Sequence, residues 1–370
     1  MDQEEYIIDI LQLINSDNLG PVTFYKLLQK FKTTKCIIEN ITEVKKVKLI
    51  SRAKAESIFE SACKKNIHIL TFDDCDYPQK LSEIVNPPPI LYTIGNHKIL
   101  NHPKSLSVVG ARNASINGRK TASKIAFDLT NSDVLIISGM ARGIDAAAHK
   151  GALFAKEQRG YTVAVLGTGV DVPYPDENKF LYHQIIEQGC VVSEFAPDTI
   201  PQATNFPRRN RIVAAMSCGT LVVEATANSG SLITAEIASE YNRSIFAIPG
   251  APSDPRSIGP NNLIKNGANL VVCATDIINL IKTPHINKPI KIKKLSQPEL
   301  PLYKTENKNE HQTINKTKII DYLNFDGVYV DEIIRASGMS AAEIALEVLE
   351  LEMNGLIERQ SGNKVALIKK

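Results

Sequence analysis

The sequence predicts a doubly wound α/β core, with a small helical domain on its N-terminal side and a winged helix on its C-terminal side. Three observations lead there. Short Val- and Ile-rich runs alternate with helical stretches from residue 104 to residue 272. These runs lack polar alternation, which marks strands buried on both faces of a mostly parallel sheet. The two flanks carry patterns of their own, purely helical before residue 70 and three helices with a terminal hairpin after residue 314.

In chain order, Ile7, Ile10, Leu11 and Ile14 recur at helical spacing, and Phe24, Leu27, Leu28 and Phe31 form a second apolar face after Asn18-Leu-Gly-Pro. Two short helices around a Gly-Pro turn suggest a SAM-like or helix-hairpin-helix module. The expected strands are Leu106–Val109, Val134–Ile137, Val163–Leu166, Val191–Val192, Leu221–Val223, Ile245–Ile248 and Leu270–Val272. The helices between them are expected at Arg119–Leu129, Ala146–Lys156, Phe180–Glu187, Ile212–Met216 and Leu232–Tyr241. Residues 283–313, rich in Lys, Pro and Asn, read as a linker. Helices at Ile314–Leu323, Val330–Ala336 and Ala341–Met353, then a strand pair around Ser361-Gly-Asn, describe the winged helix. The expected division is therefore 1–70, 71–282, 283–313 and 314–370.

Composition narrows the function classes. Net charge is only +3, so any surface for a polyanion must come from local clustering. The acidic start, Met1-Asp-Gln-Glu-Glu, does not resemble a signal peptide. No apolar run approaches the roughly 20 residues that span a bilayer. The six cysteines form no CxxC pair and read as buried free thiols in a reducing cytoplasm. The seven histidines show no metal-ligand spacing, so neither metal nor cofactor is expected.

The chemistry concentrates in the turns that follow the strands. These are Gly110 to Gly118, with Arg112 and Ser115; Ser138 to Asp145, with Gly139, Arg142 and Gly143; Gly167-Thr-Gly169; and Ser229-Gly230-Ser-Leu-Ile-Thr234. Small residues let backbone approach a ligand, and helix N-termini offer unpaired amides with partial positive charge. Ligands of such folds bind beyond the carboxyl ends of the strands. Phe206-Pro-Arg208-Arg209-Asn210-Arg211 crowds three planar guanidinium forks into what reads as a turn before a helix. From those six residues alone, a phosphate site and a solvated basic turn held by carboxylates are equally accommodated. Four turns on one rim beside them favour an extended phosphate-binding groove. Asp145, Asp171 and Glu224 are expected to orient arginines and amides. His149 is expected to make structural hydrogen bonds. A dinucleotide enzyme fits poorly, because the first turn reads GxRxxSxxG and no triad can be assembled around His149.

Read together, GARNASINGRKTA, SGMARGIDAAAH, VAVLGTGVDVPYPDEN, VVSEF, FPRRNRIVA, VVEATANSGSLITAEIA, FAIPG and GPNNLIKNGA resemble the DprA (Smf) family of DNA-processing proteins. The likeness covers roughly residues 1–280 in order, including DYPQKL and NPPPILYTIGN upstream. It implies an extended Rossmann core that binds single-stranded DNA, dimerises through that core, helps load RecA and is no enzyme. The family's DNA pocket falls on Arg112, Lys179 and Phe206 to Arg211, floored by Gly139, Gly143, Gly167 and Gly169. Arg209 and Arg211 stand at the two places where the family motif carries arginine, with Arg208 at its variable position, and are expected to be the functional pair. Ser115 stands in the family's serine position, with Ile116-Asn117 replacing a Pro-Tyr type of pair. The competing reading is a nucleotide 5′-monophosphate phosphoribohydrolase on a related core, for which Ser229 to Glu236 offers a loose match. A winged-helix transcription factor is disfavoured. Its expected reading helix carries Glu343, Glu347, Glu350 and Glu352 with no Lys or Arg between 340 and 353, so DNA would repel it. That domain reads instead as a protein-contact or autoregulatory element.

Overall fold

The computed structural model describes residues 3–41, 47–155, 162–281, 322–323, 328–337, 339–353, 357–360 and 364–367. It divides into one unit ending at Ser296 and a second beginning at Gln297. The expected linker and all but the last two residues of the helix expected at 314–323 lie outside the described residues. Among the described residues, no helix is long and apolar enough to cross a membrane.

The first unit opens with four helices, α1 (Gln3–Ile14), α2 (Pro21–Phe31), α3 (Thr34–Glu39) and α4 (Arg52–Lys64). Ile7, Ile10, Leu11, Phe24 and Leu27 are buried together, as their spacing predicts. Pro21 opens α2, where its missing N–H costs nothing. Two strands then appear that the sequence reading did not anticipate, β1 (His68–Thr71) and β2 (Ile90–Gly95), with α5 (Gln79–Ser82) between them. Both are short, and a proline-rich segment separates them. They extend the main sheet as an antiparallel edge, β1 on β2 and β2 on β6.

The remaining elements alternate. They are β3 (Ser105–Val109), α6 (Ile116–Asn131), β4 (Leu135–Ser138), α7 (Ile144–Leu153), β5 (Thr162–Val165), α8 (Lys179–Gln188), β6 (Cys190–Ser193) and α9 (Asn205–Ala215). β7 (Gly219–Val222), α10 (Gly230–Glu240), β8 (Ser244–Ala247), α11 (Ile258–Lys265), β9 (Asn269–Leu270) and α12 (Ala274–Ile281) follow. The strand order is β1-β2-β6-β5-β4-β3-β7-β8-β9, parallel from β6 to β9. Alternate residues of each strand feed opposite layers. Leu106, Val108 and Ile136 pack with α6, α7 and α12, whereas Val109, Leu135 and Ile137 pack with α9, α10 and α11. Both faces are therefore apolar, which is why the strands read as continuous hydrophobic runs. The chain winds outward from β3 to β6, then returns to place β7 on the other side of β3. The β3–β7 pair is thus the topological switch point, where the loops leaving the two strands diverge and open a crevice.

The second unit has its own small core of Leu323, Ile333, Ile344, Val348, Ile357 and Val365. It contains β10 (Val328–Tyr329), α13 (Val330–Ser337), α14 (Ala341–Met353), β11 (Ile357–Gln360) and β12 (Lys364–Leu367). The terminal strands pair antiparallel, as a wing requires. α14 begins with Ser340 and Glu343 capping one another, Ser340 Oγ donating to Glu343 at 2.7 Å.

The cysteines correct one expectation. Cys190 is buried, and burial pushes its thiol well up, but Cys63, Cys75 and Cys273 are exposed and Cys36 and Cys218 are intermediate.

Candidate nucleic-acid interface

A cleft of about 360 Å³ lies at the switch point, walled by the loop after β3, the loop after β7 and one face of α9. A second lobe of about 300 Å³ adjoins it and shares Arg112, Gly139, Ala141, Phe206 and Arg209. Among the sequence-predicted residues, Gly110, Arg112, Gly139, Phe206, Arg209, Asn210, Ser229 and Gly230 line the first lobe, and Arg142 the second.

α9 decides which of its arginines reach this cleft. The segment expected to be a turn is helical from Asn205 onward, with Pro207 tolerated in the first turn. At about 100° per residue, Phe206, Arg209, Asn210 and Val213 fall on one face and line the cleft, while Arg208 and Arg211 fall on another. Arg211 donates to Glu194 at 2.7 Å and to the Asn86 carbonyl at 3.1 Å. Arg208 lies over the Phe195 ring at 5.0 Å, beside a separate cavity that Ile14, Leu19 and Pro21 also line. Lys179, the exposed first residue of α8, lines neither lobe.

Arg209 reaches the cleft only as part of its floor. It is 5 % exposed and donates to the carbonyls of Gly139 and Val165, the latter at 2.6 Å. Those carbonyls terminate β4 and β5, where the sheet ladder has run out, so the guanidinium fork completes the ends of two strands. Burial pulls Arg209 down to about 10, against the attraction of Asp145, so it stays charged at neutral pH. Burial likewise pushes Asp145 up, opposed by Arg209 and by the amides of Ala141 and Gly139 that donate to its carboxylate. His149 is fully buried with Nδ1 2.7 Å from Thr162 Oγ1, and burial lowers it to about 3, which keeps it neutral.

The glycines expected to form a floor for ligand are filled by the protein itself. A Cβ on Gly139 would fall inside the Arg209 guanidinium, one on Gly167 would meet the Phe206 ring at 2.9 Å, and one on Gly169 would meet Asp171 at 2.7 Å. Gly143 adopts φ +77°, a left-handed conformation that favours glycine. Gly167 and Gly169 line neither lobe, and Gly143 lines the neighbouring α6–α7 groove. Gly230 differs, because nothing stands within 4 Å of a Cβ placed there.

The helix N-termini around the cleft are not equivalent. Ser115 caps α6 by accepting from Gly118 N at 2.8 Å, and Glu224 accepts from Ser115 N at 2.8 Å and Oγ at 2.5 Å. A carboxylate thus already occupies that positive end. Asp145, in the first turn of α7, instead turns back to hold the loop amides of Gly139 and Ala141. The N-terminus of α10 is different, since Ser229, Gly230 and Ser231 line the cleft. Its cap is the uncharged Ser229, whose Oγ accepts from Ser231 N at 3.4 Å, so no carboxylate neutralises the positive end of the dipole and it can attract an anion. Arg112, exposed, stands over the Phe206 ring at 5.6 Å, and Tyr174 lies 5.5 Å from the same ring. Tyr174 and Arg256 escaped the sequence reading. Arg256 follows the Asp254-Pro turn after β8, a fifth turn on the same rim, and bonds Asp254 at 3.1 Å while lining the cleft. Among the described residues, no group of three or more His, Cys, Asp or Glu could hold a metal ion.

Comparison with known proteins agrees with this architecture. A family model described as DNA recombination-mediator protein A matches residues 68–282, a DprA-like N-terminal HHH domain matches residues 4–57 and a DprA winged helix domain matches residues 305–363. A protein named Smf from Synechocystis sp. is 32 % identical over 93 % of this chain and 94 % of its own length. The X-ray structure of DNA processing protein A from Streptococcus pneumoniae superposes with TM-score 0.63 at 34 % identity, covering 74 % of this chain and 96 % of that one. DNA processing protein A from Helicobacter pylori, whose structure concerns a single-stranded DNA binding mode, gives TM-score 0.52 at 27 % identity over 58 % of this chain and 95 % of its own. With its sheet, flanking domains and switch-point cleft all accounted for, this chain belongs to the DprA/Smf family of DNA-processing proteins.

Proposed function

We propose that this protein binds single-stranded DNA in the switch-point cleft, shields it and delivers it to the RecA recombinase, without chemistry of its own. The observation that carries this reading is the cluster of Arg112, Phe206 and Tyr174 beside the N-terminus of α10, which carries no carboxylate. Aromatic faces accept any base, and exposed guanidinium and helix amides accept phosphate, which together suit a strand read without regard to sequence. The binding set is Arg112, Phe206, Asn210, Ser229, Gly230 and Arg142, joined by Tyr174 and Arg256; Arg209 shapes the floor beneath them. Lys179, Ser115, Gly110, Gly139, Gly143, Gly167, Gly169, Arg208 and Arg211 support the shape of the site or stand outside it.

The single-stranded DNA mode of the Helicobacter pylori relative supports the ligand class. The family description as a recombination mediator supports transfer to RecA, and by the same reasoning we place the protein in the cytoplasm as a homodimer through the Rossmann core. The phosphoribohydrolase alternative is less well served. Thr234 lines the cleft but Glu236 does not, and the carboxylate that does line it, Asp145, is engaged by two amides.

The test is equilibrium binding of oligo(dT) against duplex of equal length over a salt series, alongside incubation with nucleoside monophosphates. Single strands should bind more tightly, with a slope near −0.7 per phosphate neutralised, so about four contacts give a slope near −3. Equal affinity for duplex, or release of free base from the monophosphates, would sink the proposal.

A further inference from the structure

α6 and α7 pack closely because Gly151 has no side chain: a Cβ there would collide with the Ser123 carbonyl. Between these helices, on the outer surface, runs a groove of about 760 Å³ separate from the cleft. Arg119, Lys120 and Lys124 line it from α6, and Arg142 and Lys150 from α7 and the loop before it. Lys120 and Lys124 are one helical turn apart and present their charges on one side. The carboxylate in the lining is Glu177, 3.5 Å from Arg142. Five cations thus face one carboxylate, a local excess larger than the net +3 of the whole chain.

A helix face meant only for solvent balances its charges with opposite signs three or four residues away. Here Lys120, Lys124 and Lys150 form no ion pair among the described residues, although Asp128 stands one turn from Lys124. Lined-up cations repel one another unless an anion with its own regular charge spacing lies along them. Phe154, 77 % exposed, also lines the groove and adds an aromatic ring to these charges. The groove adjoins the second lobe of the cleft, since Arg142 and Glu177 line both.

We propose that the α6–α7 groove carries a second stretch of the same single strand as it leaves the switch-point cleft. Arg119, Lys120, Lys124 and Lys150 neutralise successive phosphates, and Phe154 stacks on a base. Glu177 acts as a threshold between the two stretches: it holds Arg142 until a phosphate displaces it. This inference rests on the cleft reading above and extends it outward along the strand.

The experiment uses the full chain and two oligo(dT) probes, one of about six nucleotides that fills the cleft alone and one of about twenty that reaches the groove. In the triple variant Lys120→Ala/Lys124→Ala/Lys150→Ala, affinity for the long probe should fall about tenfold and its salt slope by about two, with the short probe changed less than about twofold. Glu177→Gln, which frees Arg142 at the boundary of the two stretches, should strengthen the long probe several-fold and the short one by less. No loss for the long probe, or equal losses for both, overturns the groove; the first of these is also the result expected if the lysines serve an acidic protein segment instead. Arg112→Ala keeps the two readings separate. Unchanged affinity for the short probe in that variant refutes the cleft, whereas the groove is judged on the triple variant.

Discussion

Arg209 and Arg211 on α9 differ from Arg112, Arg142 and Arg256 on the rim loops in what their guanidinium groups face. Arg209 is spent on the carbonyl ends of β4 and β5, and Arg211 on Glu194 and Asn86. The rim arginines are half-buried or exposed, and their partners are Glu177 and Asp254 at the surface or an aromatic ring. One side chain chemistry therefore meets two environments, buried backbone acceptors for α9 and the open rim of the cleft for the loops. A planar fork that suits two phosphate oxygens suits two strand-end carbonyls equally well. Burial separates the two uses: an arginine closed off from solvent has already exchanged its hydration for protein acceptors and has none left to offer a ligand.

The comparison breaks most directly at Arg209. Replacing it by Ala strips donors from two buried carbonyls and leaves Asp145 buried without its opposite charge, so the chain should lose about 4 kcal/mol of stability. Urea unfolding should show the midpoint falling at unchanged slope. A stable Arg209→Ala protein with lost DNA affinity would reverse the assignment. Arg211→Ala should follow at about 2 kcal/mol, because Glu194, itself 4 % exposed, loses its closest cation. Affinity for oligo(dT), measured where the variant is still folded, should stay within about twofold.

The other side of the comparison predicts the opposite pattern. Arg112→Ala should leave the melting temperature nearly unchanged, yet weaken oligo(dT) binding about five- to tenfold and lower the salt slope by about 0.7. Unaltered binding would move the strand away from the loop after β3. The smallest effect is expected from the second unit. A chain ending before residue 314 should bind oligo(dT) within about threefold of the full protein, since α14 brings Glu343 and Glu347 and no Lys or Arg. A collapse in affinity, with the core still folded by circular dichroism, would give the winged helix a direct part in binding.

Much of this was legible in the residues themselves. The core strands from β3 to β8 were found within a residue or two, because burial on both faces leaves an unmistakable apolar run. α14 was placed at its observed bounds, where Ser340 and Glu343 announce its start. β1 and β2 were missed because an antiparallel edge of four and six residues has too little length to show a period. The rim was recognised as a set of turns, and the cleft does form there. Tyr174 went unnoticed although it stands inside the VPYPDEN stretch, and Arg256 because it lies between two motifs, since neither residue carries a periodic or charge pattern of its own.

By itself the sequence determined the fold class, the family and the end of the sheet at which the cleft opens. Periodicity, glycine at strand ends and clustered charge are local properties, and a one-dimensional string records them fully. Only the tertiary structure decided the direction of each side chain. Starting α9 at Asn205 rather than Ile212 rotates Arg208 and Arg211 away from Phe206, Arg209 and Asn210. Gly139 and Gly167 read as room for a ligand, but Arg209 and Phe206, roughly 70 and 40 residues away in sequence, fill that room. Glu224 likewise occupies the N-terminus of α6, and Asp145 the loop amides ahead of α7, both of which the sequence offered to phosphate, whereas α10 is capped by an uncharged serine. Each of these outcomes depends on which distant group arrives first at a donor or a void, and packing alone sets that order.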